Sequence, residues 1–357
     1  MHRSSVRGPC GNGRRVHAMQ LRNGTVFAAL GLTLCGLCMA EQSSAQEKSP
    51  QREWKLSTAV GPAYPEGKAG EAWARLISER SGARFAVKHF PGATLAQRDP
   101  AREFAGLRDG AIDLAVGSAV NWASQVKELN LFALPWLFAD HAALERALAG
   151  EIGARLSKAL EDAGVVSIAS TPGAFQQLAT RRPVHAPADL AGLRLRAPVS
   201  RLYIETLLAL GAVPAGMSAS DARGALSRGG LDGEVLGVAA FGAARLYANG
   251  VSHLLVWDGF ADALFFAVNR ELWLTLSAAD RELVRQAAND AALEADALAR
   301  AQTDDAALAR LAREGTGVTR LTRAGKQPFR ERTRAVYERW SAVVGEDLVR
   351  AAEETVR

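Results

Sequence analysis

Arg194 and Arg196 stand in a short run of alternating character, Leu193-Arg-Leu-Arg-Ala197, between Gly192 and Pro198. Alternation at period two predicts a strand that places both arginines on one face. A guanidinium keeps its charge in a protein, so its burial has to be offset by a carboxylate or phosphate, best held through two parallel hydrogen bonds. A solvated face serves Arg194. For Arg196, followed directly by the residues where the chain must leave the strand, a solvated charge and a bound anion both fit the local pattern. The other chemistry-bearing residues form no catalytic set. His89, His141, His185 and His253 are widely spaced, and the chain carries no HExxH, nucleophile elbow, P-loop or G-x-G-x-x-G after a strand. Asp232-Gly233-Glu234 places two acids close together, but Asp-Gly reads first as a turn. Asp258 and Asp262 have the spacing of one helical face and lack a partner histidine or metal ligand.

The leader sets the electrostatic and redox frame. Arg3, Arg7, Arg14, Arg15 and Arg22 precede an almost wholly apolar run from Thr25 to Ala40, and polar Glu41-Gln-Ser-Ser-Ala45 follows. This is the pattern of a secretory signal peptide over 1–45, with cleavage after Ala40 or Ala45 and Met19 as an alternative start. The chain has 43 basic and 38 acidic residues, and the five leader arginines account for the whole excess. The exported remainder is therefore balanced, and its charge offers no footprint for nucleic acid. Cys10, Cys35 and Cys38 also lie in or before the leader. Thiol catalysis, disulfides and cysteine metal sites are thereby excluded from the exported part.

Positioning Arg196 falls to an alternation of short apolar strands and amphipathic helices, which predicts an α/β fold. Strands are expected at 54–59, 85–89, 112–117, 165–170, 193–197, 231–236, 251–257 and 263–268, with another near Gln177. Helices are expected between them, Ser218 and Ser277 serving as N-caps with an acid three residues later. Leu134-Pro-Trp-Leu-Phe138 is apolar but broken by Pro135, which argues against a central strand. From Ser277 a long alanine-rich helix runs to about Arg313. It lacks the large heptad residues of a coiled coil and suits a brace between two lobes. A last helix spans about 326–344. Aromatic residues at predicted strand ends, among them Tyr64, Trp122, Trp136, Trp257 and Phe260, offer either a ligand crevice or ordinary packing. Gln176 offers an amide to the same crevice or to solvent.

In this order the segments resemble those of the DctP-type solute-binding proteins of TRAP transporters, the tripartite ATP-independent uptake systems. The resemblance runs from Trp54 to about Ala288 and rests on Gly110-Ala-Ile-Asp-Leu-Ala-Val116, Leu134-Pro-Trp-Leu-Phe138, Pro187-Ala-Asp-Leu-Ala-Gly-Leu-Arg-Leu-Arg196, Leu210-Gly-Ala-Val-Pro214 with Met217, and Ala225-Leu-Ser-Arg-Gly-Gly-Leu-Asp-Gly233. It implies a two-lobe, hinge-closing periplasmic-binding-protein-like α/β fold with a long helix spanning both lobes. Lobe I would hold 46–171, lobe II 172–257, a return to lobe I 258–290, and C-terminal helices 291–357. It implies a periplasmic receptor without enzyme activity, cofactor or metal, which hands a small organic acid to the permease subunits in the inner membrane. A ligand-sensing receptor and a secreted α/β enzyme are the alternatives.

By the same resemblance Arg196 matches the arginine that pairs with the ligand carboxylate; Gln176 is expected to make a neutral hydrogen bond, and Tyr64, Trp122, Glu234, Leu236 and Trp257 to line the pocket. Two departures bear on the ligand. Gly173-Ala-Phe-Gln-Gln-Leu178 stands where many relatives carry a second arginine, and Asp232-Gly-Glu-Val-Leu-Gly237 where many carry an asparagine at the position of Leu236. The expected ligand therefore shifts from a dicarboxylate or sialic acid towards a monocarboxylate with an apolar body.

Overall fold

The computed structural model describes residues 53–356. The signal peptide, the alternative start at Met19 and the three cysteines lie outside the described residues. Two sheets organise the rest. The first consists of β1 (Glu53–Thr58), β2 (Ala86–Pro91), β3 (Leu114–Ser118) and β4 (Val165–Pro172) with the late strand β10. The second consists of β5 (Gln176–Thr180), β6 (Arg194–Ala197), β7 (Val213–Gly216), β8 (Gly233–Gly237), β9 (His253–Phe260) and β11 (Gly317–Arg320). Strand β10 (Ala263–Asn269) returns to the first sheet between β3 and β4, antiparallel to both. All seven of its residues are buried, as its unbroken apolar sequence Ala-Leu-Phe-Phe-Ala-Val requires of a strand covered on both faces.

The chain passes between sheets after β4 and again after β9, and the two passages are hydrogen-bonded to each other: the Gly173 amide donates to the Asp262 carbonyl at 2.9 Å. A Cβ at Gly173 would come within 2.9 Å of that backbone, so only glycine allows this approach. Alongside, Trp136 adopts φ +56°. Its amide and indole N–H donate to Gly259 and Trp257 carbonyls at 2.9 and 3.1 Å. Its ring packs edge-on against Trp257 at 5.5 Å. The apolar run around Pro135 is thus a loop wedged under the passage, and one hydrophobic core runs beneath both sheets here, from Phe104 and Trp122 to Leu195, Trp257 and Phe329.

The helix that braces the lobes is Ala278–Thr303. Buried Ala287, Ala288, Ala291 and Ala295 let it lie close on the helix Pro65–Arg80 and on β4, and its far end reaches Val238–Ala244 beside the second sheet. It stops short of Arg313. Asp304 accepts a hydrogen bond from the Ala307 amide at 2.7 Å and starts a separate helix, Asp305–Arg313. His141 and Asp296, 2.5 Å apart, tie the brace to the helix His141–Ala149, and Arg300 bonds both Asp296 and Glu145 there. Several elements were absent from the sequence expectation, among them β7, β11, the short helices Val238–Ala244 and Arg270–Thr275, and a terminal helix, Glu346–Val356, which returns to pack on His141–Ala149. The two edge strands are only four residues long and half exposed, so neither carries a clear apolar period.

Candidate functional site

The C-terminal ends of β1, β3, β6, β8 and β9 converge where the chain passes between sheets, the place where α/β sheets bind ligands. Strand β5 runs antiparallel to its neighbours, so its first residue, Gln176, opposes Gly237 and Phe260 at that same edge.

Arg196 leaves β6 opposite Glu234 of β8. It is 9% exposed, whereas Arg194, two residues earlier on the same face, is half exposed. The difference is one of partners. Arg194 is clasped by Asp232, with nitrogen-to-oxygen distances of 3.0 and 2.8 Å, and its own amide donates to the same carboxylate at 2.9 Å. These bonds hold the Asp232 carboxyl down to about 2. Arg196 has no such clasp. Its Nε donates to the Met217 carbonyl at 2.9 Å and one Nη to the Val235 carbonyl at 3.2 Å, while Glu234 stands 3.8 Å away. Its other terminal nitrogen makes no hydrogen bond among the described residues. Burial lowers the arginine's pKa and raises that of Glu234, each partly offset by the other. The guanidinium is therefore oriented by carbonyls, imperfectly neutralised, and left with donors to give.

The remaining predicted residues divide by place. Glu234 faces Arg196. Gln176 is half buried and its amide reaches only the Ala174 carbonyl, at 3.4 Å. Trp257 is fully buried with its indole N–H on the Gln176 carbonyl at 3.0 Å. Trp122 is fully buried against Phe104, ring centroids 5.4 Å apart. Leu236 follows Glu234 by two positions on the same face of β8 and packs with Phe241, Val238 and Leu254. Tyr64 is half buried and precedes the first turn of Pro65–Arg80. Asp258 and Asp262 share no helix: Asp258 belongs to β9 with φ +48° and bonds Gln177 and Lys326, and Asp262 lies in the passage to β10.

Sequence reasoning missed Glu66 and Glu103, and singled out Asp262 only as an acid beside Asp258. Glu66, Glu103 and Asp262 are all buried. Glu103 accepts from the Ser57 hydroxyl at 2.5 Å, Glu66 from the Ala59 amide at 2.5 Å, and Asp262 from the Ser118 hydroxyl at 2.6 Å. No arginine or lysine pairs with them among the described residues. Burial pushes the Glu103 carboxyl up to about 7, against the Ser57 bond and the nearby Trp122 N–H. It pushes Asp262 up to about 6 against its own hydrogen bonds. Glu66 is raised well above the usual range by burial and then by Glu103. Tyr203, from the helix Arg201–Ala209, stacks on Phe260 at 4.1 Å and feels the charges of both Asp262 and Arg196. The acids meet the ends of β1 and β3 through Ser57, Ala59 and Ser118, while Arg196 and Glu234 stand side by side on β6 and β8; together they make a polar seam. Two surface hollows, of about 350 and 460 Å³, are lined by other residues, Arg245 to Glu314 and Ala186 to Arg332.

Two sheets joined by paired passages, with a polar seam at the converging strand ends, define a two-lobe solute receptor. The chain belongs to the bacterial extracellular solute-binding protein family 7, DctP, whose model matches residues 56–342. It is a solute-binding protein, a component of transport. A TRAP periplasmic solute-binding protein from Ralstonia eutropha, crystallised with (S)-2-hydroxy-2-methyl-3-oxobutanoate, is 42% identical, with a TM-score of 0.83 over 85% of this chain and 98% of that one. A solute-binding protein of Chromohalobacter salexigens is 29% identical over 72% of this chain and 75% of its own length. The C4-dicarboxylate-binding periplasmic protein DctP of Rhodobacter capsulatus is 29% identical over 50% of this chain and 54% of its own.

Proposed function

We propose that the protein is the extracytoplasmic receptor of a TRAP-type transporter for a small organic monocarboxylate, exported by its leader and read by the membrane permease subunits in its closed form. One observation carries this reading: Arg196 is buried at the converging strand ends and pre-oriented by two carbonyls, yet keeps donors uncommitted. A ligand carboxylate accepting from that guanidinium supplies the missing neutralisation, and exclusion of water strengthens the bond. No arginine or lysine among the described residues pairs with the acids of the seam, which argues for a single ligand carboxylate, and the 2-hydroxy-3-oxo acid held by the Ralstonia relative is of that kind. Gln176 supplies a neutral amide at the same edge. Tyr64, Trp122, Leu236 and Trp257 shape or back the wall, and Glu234 tunes Arg196.

A ligand that prefers the closed form shifts the lobes towards it, which gives a permease a shape to recognise. Thermal-shift screening of wild type and Arg196→Ala against mono- and dicarboxylates tests the assignment. Stabilisation of wild type by monocarboxylates and its loss in the variant is the expected result; equal stabilisation of both removes Arg196 from the mechanism. Recovery of the ligand chemically unchanged separates a receptor from an enzyme.

A further inference from the structure

Strand β9 leaves its register with β5 just before the chain passes back to the first sheet. Leu255 pairs with Leu178 and Phe260 with Gln176, so Gln177 alone faces Val256-Trp-Asp-Gly259. Such a bulge re-aims the side chains beside it. This one is pinned by polar groups. Gln177 is 3% exposed, and its side-chain oxygen accepts from the Trp257 and Asp258 amides, both at 3.0 Å. Its side-chain nitrogen donates to one Asp258 oxygen at 2.8 Å, and Lys326 Nζ donates to the other at 2.9 Å. Asp258 holds φ +48°, a left-handed conformation that a residue other than glycine keeps where its surroundings enforce it. The bulge in turn holds the edge of the site. The Trp257 indole donates to the Gln176 carbonyl at 3.0 Å. Lys326 comes from the helix Arg323–Val344, and Phe329, three residues on along the same face, packs edge-on against Trp257 at 5.8 Å.

We infer that Gln177, Asp258 and Lys326 are positioning residues of the ligand site: the ion pair between Asp258 and Lys326 fixes the bulge, and Trp257 passes that fix to Gln176. The inference rests on the proposed function, in which Gln176 gives its amide to the ligand. The pair is well placed for the task. Its side chains are 27% and 17% exposed, so salt and solvent screen it less than a surface pair. Removal of either charge leaves the other partly buried and unpaired, and takes a clamp from the left-handed turn. Trp257 then loses its fixed seat, and the Gln176 backbone that accepts from its indole moves with it. Lys326 thus acts on recognition through Asp258 and Trp257.

The test is a double-mutant cycle on the full protein, read by calorimetry with (S)-2-hydroxy-2-methyl-3-oxobutanoate, butanoate and succinate. Gln176→Ala and Lys326→Met are each expected to weaken binding of the preferred acid about tenfold. The double variant is expected to weaken it about tenfold as well, rather than about a hundredfold, because Lys326 acts through Gln176. Asp258→Asn tolerates the left-handed turn and still accepts from Gln177, and it should weaken binding as Lys326→Met does, so a folding defect in one variant leaves the other to decide. Near-UV circular dichroism of the ligand-free protein gives a second readout. Trp136 and Trp257, edge-on at 5.5 Å, should change their signal in Lys326→Met and Asp258→Asn below the melting temperatures of both. Multiplying losses in the double variant, or affinity and dichroism unchanged in both single variants of the ion pair, overturn the inference and leave the Arg196 reading untouched. No binding of any of the three acids by wild type overturns the receptor reading and the inference with it.

Discussion

Arg194 and Arg196 differ by two positions and have different partners, and the difference lies in their carboxylates. Asp232 clasps Arg194 through both oxygens, whereas Glu234 stays 3.8 Å from Arg196, too far for a hydrogen bond. Asp232→Ala frees a half-exposed arginine and removes the bond to its amide, and a stability loss on the order of 1 kcal/mol, read as a lower melting temperature, is expected with carboxylate affinity nearly unchanged. The acids on the seam give a pH signature. Glu103 and Asp262 titrate near 4 when unfolded and are pushed up to about 7 and about 6 in the fold. The folded state thus holds more protons between about pH 4 and 7, and their contribution to stability falls as pH rises through that window and is level above it. His89, lowered by burial, works in the opposite sense. The diagnostic is therefore a difference: ligand-free wild type should lose more melting temperature between pH 5 and pH 8 than Glu103→Gln does. Equal losses would show that Glu103 is not held protonated. The strand alternation made Arg196 legible in the sequence. Glu66 and Glu103 were not, because each opens a helix, where an acid is already accounted for by the exposed amides and the dipole. Tyr203 reads as one more apolar position of its helix.

Elements were legible where an unambiguous period or cap marked them. The apolar run of β10 and the serine caps at Ser218 and Ser277 appear as expected, with Ser218 and Ser277 accepting from the Asp221 and Asp280 amides at 3.2 and 3.1 Å. The alanine-rich helix was read as one piece because alanine and arginine favour helix on both sides of Asp304, and only the side chain of Asp304 reveals the break. Asp304→Ala should cost about 1 kcal/mol through the lost cap, read by denaturant unfolding, and leave ligand affinity unchanged. The cradle under Trp122 makes a sharper demand. Gly117→Ala forces the indole off β3, so a stability loss of about 1–3 kcal/mol is expected, read by denaturant unfolding. Unchanged stability would show that the indole can shift without cost.

At the scale of the molecule, the two paired passages, the alanine-rich brace and the terminal helices connect the sheets, while the seam lies where those passages meet. The α/β class and the two-lobe plan followed from strand and helix alternation and from the order of family segments. The seam's composition did not, since it draws on residues between Ser57 and Asp262 that only the return of β10 brings together. On the proposed function, Arg196 anchors a single ligand carboxylate between the lobes. Titration calorimetry of wild type and Arg196→Ala with (S)-2-hydroxy-2-methyl-3-oxobutanoate and with succinate tests it most directly. The expected result is tight binding of the hydroxy-oxo acid by wild type, little or none of succinate, and a loss of about 100-fold or more in the variant. Comparable affinity of wild type and Arg196→Ala for the hydroxy-oxo acid would contradict it.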